Sequence, residues 1–223
     1  MKQGRFRSGL FDALPLWLGV VPFGFVYAAV GRRAGLSIWE IQLMSVLVYA
    51  GGAQFTVVRL VAERAPRHFL IVATALINLR HVLYGVSLAP HLKAVRAGVR
   101  ALAAFFIVDE SYGLGMRAFL AGRGSASYLV GAGVSLYLAW NVGTALGILF
   151  TAALPDPRNL GLDLVFPLTF AALLAPLLRQ ARNRWAALTA FIAGLVVVPA
   201  LPAGVGFVAA TMLGMLGGMW VRD

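Results

Sequence analysis

The stretch Leu76-Ile-Asn-Leu-Arg-His-Val-Leu-Tyr-Gly85 places an amide, a guanidinium, an imidazole and a phenol inside an otherwise apolar run. If that run crosses a bilayer as an α-helix, Arg80 and His81 lie near the middle of the membrane. A charge at that depth costs at least ~2.5–3.5 kcal/mol, so ionisable residues found there usually serve a function. Whether this run spans a membrane therefore decides both the fold class and where a site should be sought.

Composition indicates a membrane protein. The chain has 223 residues, of which 61% are hydrophobic and 12% are charged, with a mean hydropathy of +0.85. A soluble domain carries about 25% charged residues. Apolar windows of roughly 17–25 residues recur along almost the whole chain. These features predict an all-α, polytopic helical integral membrane protein, with residues 1–223 forming a single transmembrane domain.

The apolar windows predict eight spans. Six are expected at about 12–31, 39–60, 69–89, 101–121, 127–153 and 162–178, and two short ones within 185–221. Pro199-Ala-Leu-Pro202 divides that last region, which could instead be one kinked span plus a re-entrant piece, giving seven. Pro15 and Pro22 predict a kink or a break in the first span, and Pro90 is expected to end the third.

The net charge of +11 could suggest nucleic-acid binding, but its distribution argues against that function. Nearly all Lys and Arg residues lie at the ends of apolar runs, where they act as interfacial anchors in the lipid bilayer. With eight spans, ten Lys and Arg residues fall on the side of the termini and six on the other. The bias predicts cytoplasmic termini, although the basic 91–100 loop opposes it.

The sequence lacks the residues that several common kinds of catalytic and metal site require. The chain has no cysteine, which excludes disulfides, thiolate metal sites and cysteine nucleophiles. The sequence contains no Walker loop, HExxH, GxSxG or metal-ligand cluster. We therefore expect no enzyme activity, no cofactor and no metal.

Two acidic residues share the depth of Arg80. Asp109 and Glu110 fall at the middle of the predicted 101–121 span. Because consecutive spans joined by a short loop are usually antiparallel neighbours, we expect Arg80 to pair with one of these acids. The other acid would then be free to bind a proton or a substrate ammonium group. The alternative is a buried pair that only locks two helices together.

The third span carries polar groups on two faces. Asn78 and His81 share one face at a spacing of three, while Arg80 and Tyr84 share another at a spacing of four. This arrangement predicts a cavity on one side and a partner helix on the other. His81 could carry protons, although a lone histidine in a helix is more often a structural hydrogen-bond donor.

Ala50-Gly-Gly-Ala-Gln54 interrupts the second span. Adjacent glycines weaken a helix, and the backbone amides of a broken helix can hold the carboxylate of an amino acid. Gln54 would add a donor and an acceptor beside the break. The equally weighted alternative is close helix packing, in which the glycines let two backbones approach.

Trp140 and Asn141 lie inside the fifth span, where an amide needs a partner and a tryptophan can wall a pocket. The G-x-x-x-G patterns at 143–147 and 214–218 predict helix packing.

The candidate substrate-binding residues are Gly51, Gly52, Gln54, Asn78, Arg80, Tyr84, Trp140 and Asn141. The candidate ion-pair or coupling residues are Arg80, His81, Asp109 and Glu110.

An ordered set of short motifs resembles the AzlC family. The set comprises Leu14-Pro15, Pro22-Phe23-Gly24, Met44-Ser45, Tyr49-Ala-Gly-Gly-Ala-Gln-Phe55, Asn78-Leu-Arg-His81, Leu83-Tyr84-Gly85, Leu88-Ala-Pro90 and Asp109-Glu110-Ser111-Tyr112. The resemblance covers about residues 10–115, and the hydropathy of the rest agrees with it. Members of this family are the large subunits of two-component branched-chain amino-acid exporters.

The resemblance implies export of leucine, isoleucine, valine or analogues such as azaleucine across the bacterial inner membrane. It also implies a partner, a small hydrophobic AzlD-type subunit, and a secondary mechanism driven by a proton or sodium gradient. It supplies no site residues, so the candidates above rest on burial and spacing alone. The alternative functions are a non-transporting scaffold or assembly subunit and an exporter of another small amphiphilic solute. An intramembrane enzyme is least favoured, because Asp109 and Glu110 point about 100° apart on a helix.

Overall fold

The computed structural model describes residues 3–150, 180–201 and 205–221, with isolated positions between 171 and 178. All regular structure in these ranges is helical, which confirms the all-α membrane class. Four segments are long and apolar enough to cross a membrane: Arg5–Arg33, Arg67–Leu92, Ala126–Phe150 and Ala181–Ala200. Large apolar side chains stay exposed along their outer faces, as expected of surfaces that contact lipid.

Ten α-helices occupy the described ranges. They are α1 (Gln3–Asp12), α2 (Trp17–Arg33), α3 (Ile38–Leu47), α4 (Gly51–Ala62), α5 (Arg67–Leu92), α6 (Ala97–Phe105), α7 (Asp109–Leu120), α8 (Ala126–Phe150), α9 (Ala181–Ala200) and α10 (Val205–Met219). Apart from isolated positions, the predicted 162–178 span lies outside the described residues.

The first span starts earlier than the predicted 12–31. The helical segment begins with α1 and passes through a 3-10 turn, Leu14–Leu16, before α2. Pro15 lies in that turn, where a residue without an N–H is tolerated, and Pro22 lies inside α2. This turn therefore joins α1 to α2, and the first span includes residues before position 12.

Two spans are broken helices. The second span divides into α3 and α4 around Val48, Tyr49 and Ala50, so the expected break is present and lies just before the glycine pair. The fourth span divides into α6 and α7 around residues 106–108. The prediction of a continuous 101–121 span is therefore wrong, and Asp109 begins a helix instead of occupying the middle of one.

The chain from α2 to α7 contains two similar units, each a helix followed by a broken helix. The first residues of α3 and α6 are 59 positions apart, and those of α4 and α7 are 58 positions apart. Each unit also has a short connection before its broken helix, at 34–37 and 93–96. Tyr49 and Val108, one from each break, line the same cavity, so the two breaks lie next to each other within the helix bundle.

Small residues bring α2 and α8 together. A Cβ atom at Gly24 would lie 2.7 Å from the carbonyl oxygen of Trp140. A Cβ at Gly143 would overlap the backbone of Val21, and one at Gly147 would overlap Phe25. The two helices therefore run parallel in backbone contact, which confirms the packing predicted for the 143–147 pattern.

The remaining boundaries differ in detail from the expectations. Helix α5 continues through Pro90 to Leu92, because a proline in the last turn removes one hydrogen bond without ending the helix. Helices α9 and α10 form an antiparallel hairpin in which Gly214 packs on Ala190 and Gly206 on Val198. The region 185–221 therefore contains two helices, and the 214–218 pattern packs as predicted.

Candidate functional site

The first turns of α4 and α7 meet at a cavity of about 40 Å³. Its polar lining comes from α5 and from the first residues of α4 and α7, which are the second halves (half-helices) of the two broken helices. Its apolar lining comes from α2, α8 and the two breaks. The polar lining residues are Gly51, Gly52, Arg80, Asp109 and Glu110, and the others are Val20, Phe23, Tyr49, Val108, Leu136 and Trp140. Six of the sequence-predicted candidates therefore lie around one cavity.

Arg80 forms an ion pair with Asp109 across α5 and α7. The Nη1 atom of Arg80 lies 2.6 Å from Oδ2 of Asp109, and the hydroxyl of Tyr84 donates a hydrogen bond to Oδ1. The side chains of Arg80 and Asp109 are 24% and 27% exposed. Both oxygens of Asp109 are therefore engaged. The Nε atom of Arg80 is buried and has no partner among the described residues.

Glu110 occupies the next position of α7 and also lines the cavity. Within the described ranges its carboxylate forms no ion pair. The cavity thus contains one guanidinium and two carboxylates, which gives a net charge of −1 when both acids are ionised.

The break before α7 is held by Ser111. Its buried Oγ accepts a hydrogen bond from the backbone N–H of Val108 at 2.8 Å. The same hydroxyl donates to the carbonyl oxygen of Phe106, also at 2.8 Å. These two bonds satisfy backbone groups that a continuous helix would have paired internally, so they fix the position where Asp109 begins α7.

The start of α4 has no side-chain cap, and its glycines allow two close approaches. A Cβ atom at Gly51 would lie 3.0 Å from Cη2 of Trp140, and one at Gly52 would lie 3.3 Å from Nη2 of Arg80. The first N–H groups of a helix have no intrahelical partner. The glycine pair therefore stands at a break, and the atoms nearest to it belong to the side chains of Arg80 and Trp140 rather than to a second backbone. Binding of a carboxylate by its amides stays a prediction.

Gln54 lies behind the cavity in a buried hydrogen-bond network centred on Ser45. The Oγ of Ser45 accepts from Nε2 of Gln54 and from Nε1 of Trp140, each at 3.1 Å. Thr144 donates to the carbonyl of Trp140, so the 2.9 Å contact between Ser45 and Thr144 uses the hydrogen of Ser45. Gln54 thus joins α4 to α3 and α8 and does not line the cavity.

Asn141 also lies away from the cavity, at the broken end of α3. Its Nδ2 donates to the carbonyls of Ser45 at 3.5 Å and Tyr137 at 2.9 Å, and its Oδ1 accepts from Gln42 at 2.9 Å. The hydroxyl of Tyr137 donates to the carbonyl of Val46 at 3.1 Å. Two side chains of α8 therefore satisfy carbonyls that the end of α3 leaves unpaired.

Asn78 and His81 share a face of α5, as predicted, and neither lines the cavity. The Nδ1 atom of His81 lies 3.1 Å from the backbone carbonyl of Asn78, and its ring meets Tyr84 edge-on with centroids 5.8 Å apart. This is the geometry of a structural donor, and proton transfer by His81 stays a prediction. The Oδ1 of Asn78 is buried without a partner in the described part of the chain.

Three residues that hold the breaks or line the cavity were not among the candidates predicted from the sequence. Ser45 and Ser111 hold the two breaks, and Tyr49 lines the cavity with a φ of 44°. A tyrosine in the left-handed region is strained, and strained backbone often accompanies functional sites. The available signals were a serine directly after the acidic pair and a tyrosine two residues before the glycine pair.

The chain matches one protein-family model and several known membrane proteins. The family model described as AzlC protein matches residues 15–154. An uncharacterised membrane protein of Archaeoglobus fulgidus is 30% identical over 221 residues, covering 98% of this chain and 96% of the relative. The inner membrane protein YgaZ of Escherichia coli is 27% identical over 148 residues, which is 65% of this chain and 60% of that protein.

A relative with a functional name is more distant. The branched-chain amino acid transport protein AzlC of Bacillus subtilis is 25% identical over 218 residues, covering 95% of this chain and 83% of the relative. No solved structure gives a significant match. Since the family model spans more than half of the chain, and both broken helices lie within the matched region, this membrane protein belongs to the AzlC family.

Proposed function

We propose that this protein is a secondary transporter that exports branched-chain amino acids across the bacterial inner membrane. The observation that carries the proposal is the meeting of two half-helix starts, one arginine and two carboxylates at a cavity inside a membrane protein. Transporters use the positive ends of broken helices to hold the anionic groups of their substrates.

The charges around the cavity suit the two ends of a zwitterion. The free N–H groups at Gly51 and Gly52, together with Arg80, form a positive pole for a carboxylate. Glu110 forms a negative pole for an ammonium group. Because both poles lie on the same cavity, one α-amino acid could contact both of them.

The remaining wall suits an aliphatic side chain. Phe23, Leu136 and Trp140 also line the cavity. The name of the Bacillus subtilis relative, which refers to branched-chain amino acids, supports the same cargo. The cavity of about 40 Å³ holds on the order of three water molecules. Binding of leucine therefore requires the half-helices to move apart, as a transport cycle would.

Energy for export would come from an ion gradient, since the sequence contains no nucleotide-binding loop. We include a small hydrophobic AzlD-type subunit as the partner and place the termini in the cytoplasm, following the family resemblance and the distribution of basic residues.

The test uses cells that lack their own exporter and produce this chain with its small partner. We expect the wild-type protein to confer azaleucine resistance and, in proteoliposomes, to catalyse counterflow of labelled leucine. Arg80→Ala and Asp109→Asn should abolish both activities.

The matched controls are Arg59→Ala and Glu63→Gln, which break an exposed ion pair at the end of α4 whose residues do not line the cavity. These variants should behave as wild type. Wild-type activity of both site variants at normal protein levels would refute the site. A complete absence of counterflow in the wild-type complex would favour a scaffold role instead.

A further inference from the structure

The two carboxylates of the cavity differ in what they contact. Asp109 uses both oxygens, one for the guanidinium of Arg80 and one for the hydroxyl of Tyr84. Glu110 has no cationic partner in the described part of the chain, and it lines the same cavity. The ion pair is therefore complete without Glu110, and one negative charge is left over.

The groups that face Glu110 do not supply the missing cation. Asp109 precedes it on α7, α5 contributes Arg80 and Tyr84, and the break between α3 and α4 contributes Tyr49. Helices α2 and α8 contribute only apolar walls and Trp140. Arg80 is the one cation among the described lining residues, and Asp109 already engages it.

An unbalanced carboxylate at the level of the two breaks is costly, because charge in the interior of a membrane is poorly solvated. Two cations can neutralise it in turn: a proton, or the ammonium group of a substrate. Both would occupy the same oxygens of Glu110, so they exclude each other.

We propose that Glu110 is the exchange site at which a proton and the substrate ammonium group alternate, so that one amino acid is exported for each proton that enters. This inference rests on the proposed transport function and specifies its driving ion. On the cytoplasmic side the carboxylic acid of Glu110 releases its proton to water, and the carboxylate then pairs with the ammonium group. On the outer side the ammonium group leaves, and a proton from water takes its place.

The experiment uses the full chain, purified with its small partner and reconstituted in liposomes. Vesicles with an acidic interior are diluted into alkaline buffer that contains labelled leucine and equal sodium on both sides. We expect leucine to accumulate inside, and protons to leave in equal number as read by an internal pH dye. A difference of one pH unit supports at most about tenfold accumulation when one proton is exchanged.

Glu110→Gln, which cannot be deprotonated, should lose this accumulation. It should still catalyse downhill leucine counterflow, but with weaker apparent affinity that no longer varies with pH. Wild-type affinity should fall as the pH is lowered, because protons compete with the ammonium group. Glu63→Gln, a carboxylate outside the cavity, should match the wild type.

Three results would overturn the inference while leaving leucine transport intact. One is wild-type leucine uptake that moves no protons, a measurement that needs no variant to fold. Another is accumulation by Glu110→Gln that still follows the pH gradient. The third is wild-type accumulation that requires a sodium gradient instead. A wild-type complex with no leucine counterflow would overturn the proposed function itself.

Discussion

The ion pair between Arg80 and Asp109 allows its structural role to be separated from a role in binding. Asp109→Asn keeps the shape of the side chain and removes its charge, which leaves the guanidinium without its direct ion-pair partner and with only Glu110 as a counter-charge at the cavity. On membrane-insertion scales, a charged side chain at the centre of a helix raises the free energy by ~2.5–3.5 kcal/mol. Because the pair is about a quarter exposed and Glu110 is near, we expect a loss of about 2 kcal/mol of unfolding free energy.

That loss corresponds to a decrease of about 4–8 °C in the thermal midpoint of a protein of this size. The double variant Arg80→Gln with Asp109→Asn removes both charges and should recover most of the stability, giving a coupling energy of about 1–3 kcal/mol. Midpoints are measured in detergent by the fraction of protein that remains monodisperse after heating, and transport by leucine counterflow.

The decisive comparison is the activity of the double variant. If Arg80 binds the substrate carboxylate, the double variant is stable but inactive. Wild-type counterflow by the double variant would show that the pair only joins α5 to α7. A single variant Asp109→Asn with wild-type stability would refute the energetic reasoning.

Three further predictions concern the scaffold. Gly143→Ala should destabilise the protein by about 1–3 kcal/mol, because the added Cβ would meet the backbone of α2. Gly85→Ala adds a Cβ that faces open space, so it should be neutral or mildly stabilising. The thermal midpoints of the two variants test this difference. Ser111→Ala should cost about 1–3 kcal/mol and lower counterflow more than Gly143→Ala does at equal stability, since it frees the break beside the cavity. Arg64→Gly should stabilise the protein by up to about 1 kcal/mol, because Arg64 lies two residues after α4 with a φ of 53°, a conformation that glycine adopts without strain. An unchanged or lower midpoint would contradict this.

The sequence predicted the membrane class, the broken second span and the residues that line the cavity's charged side. These succeeded because composition, a glycine pair and the cost of intramembrane charge are local signals. The break in the fourth span has no comparable signal, since residues 105–108 are Phe-Phe-Ile-Val without glycine or proline. That break depends on Ser111 reaching back to the backbone, a contact that no periodicity reveals.

The roles of the amides show a second limit of sequence reasoning. Asn141 was expected to need a partner, and it has one, but the partner is the open end of α3. Its role could not be assigned without knowing where that helix ends. Gln54 stands beside the glycine pair in sequence, yet one helical turn carries its side chain behind the cavity and into the network at Ser45.

The lengths of the half-helices determine how the site experiences the membrane voltage. Helices α3, α4, α6 and α7 have 10, 12, 9 and 12 residues. At 1.5 Å per residue each is about 14–18 Å long, or roughly half of the hydrocarbon core. An ion that reaches the breaks from either side has then crossed about half of the voltage, worth ~1.2 kcal/mol per 100 mV for one charge. Voltage should therefore act on binding at both faces of the membrane rather than on a single step.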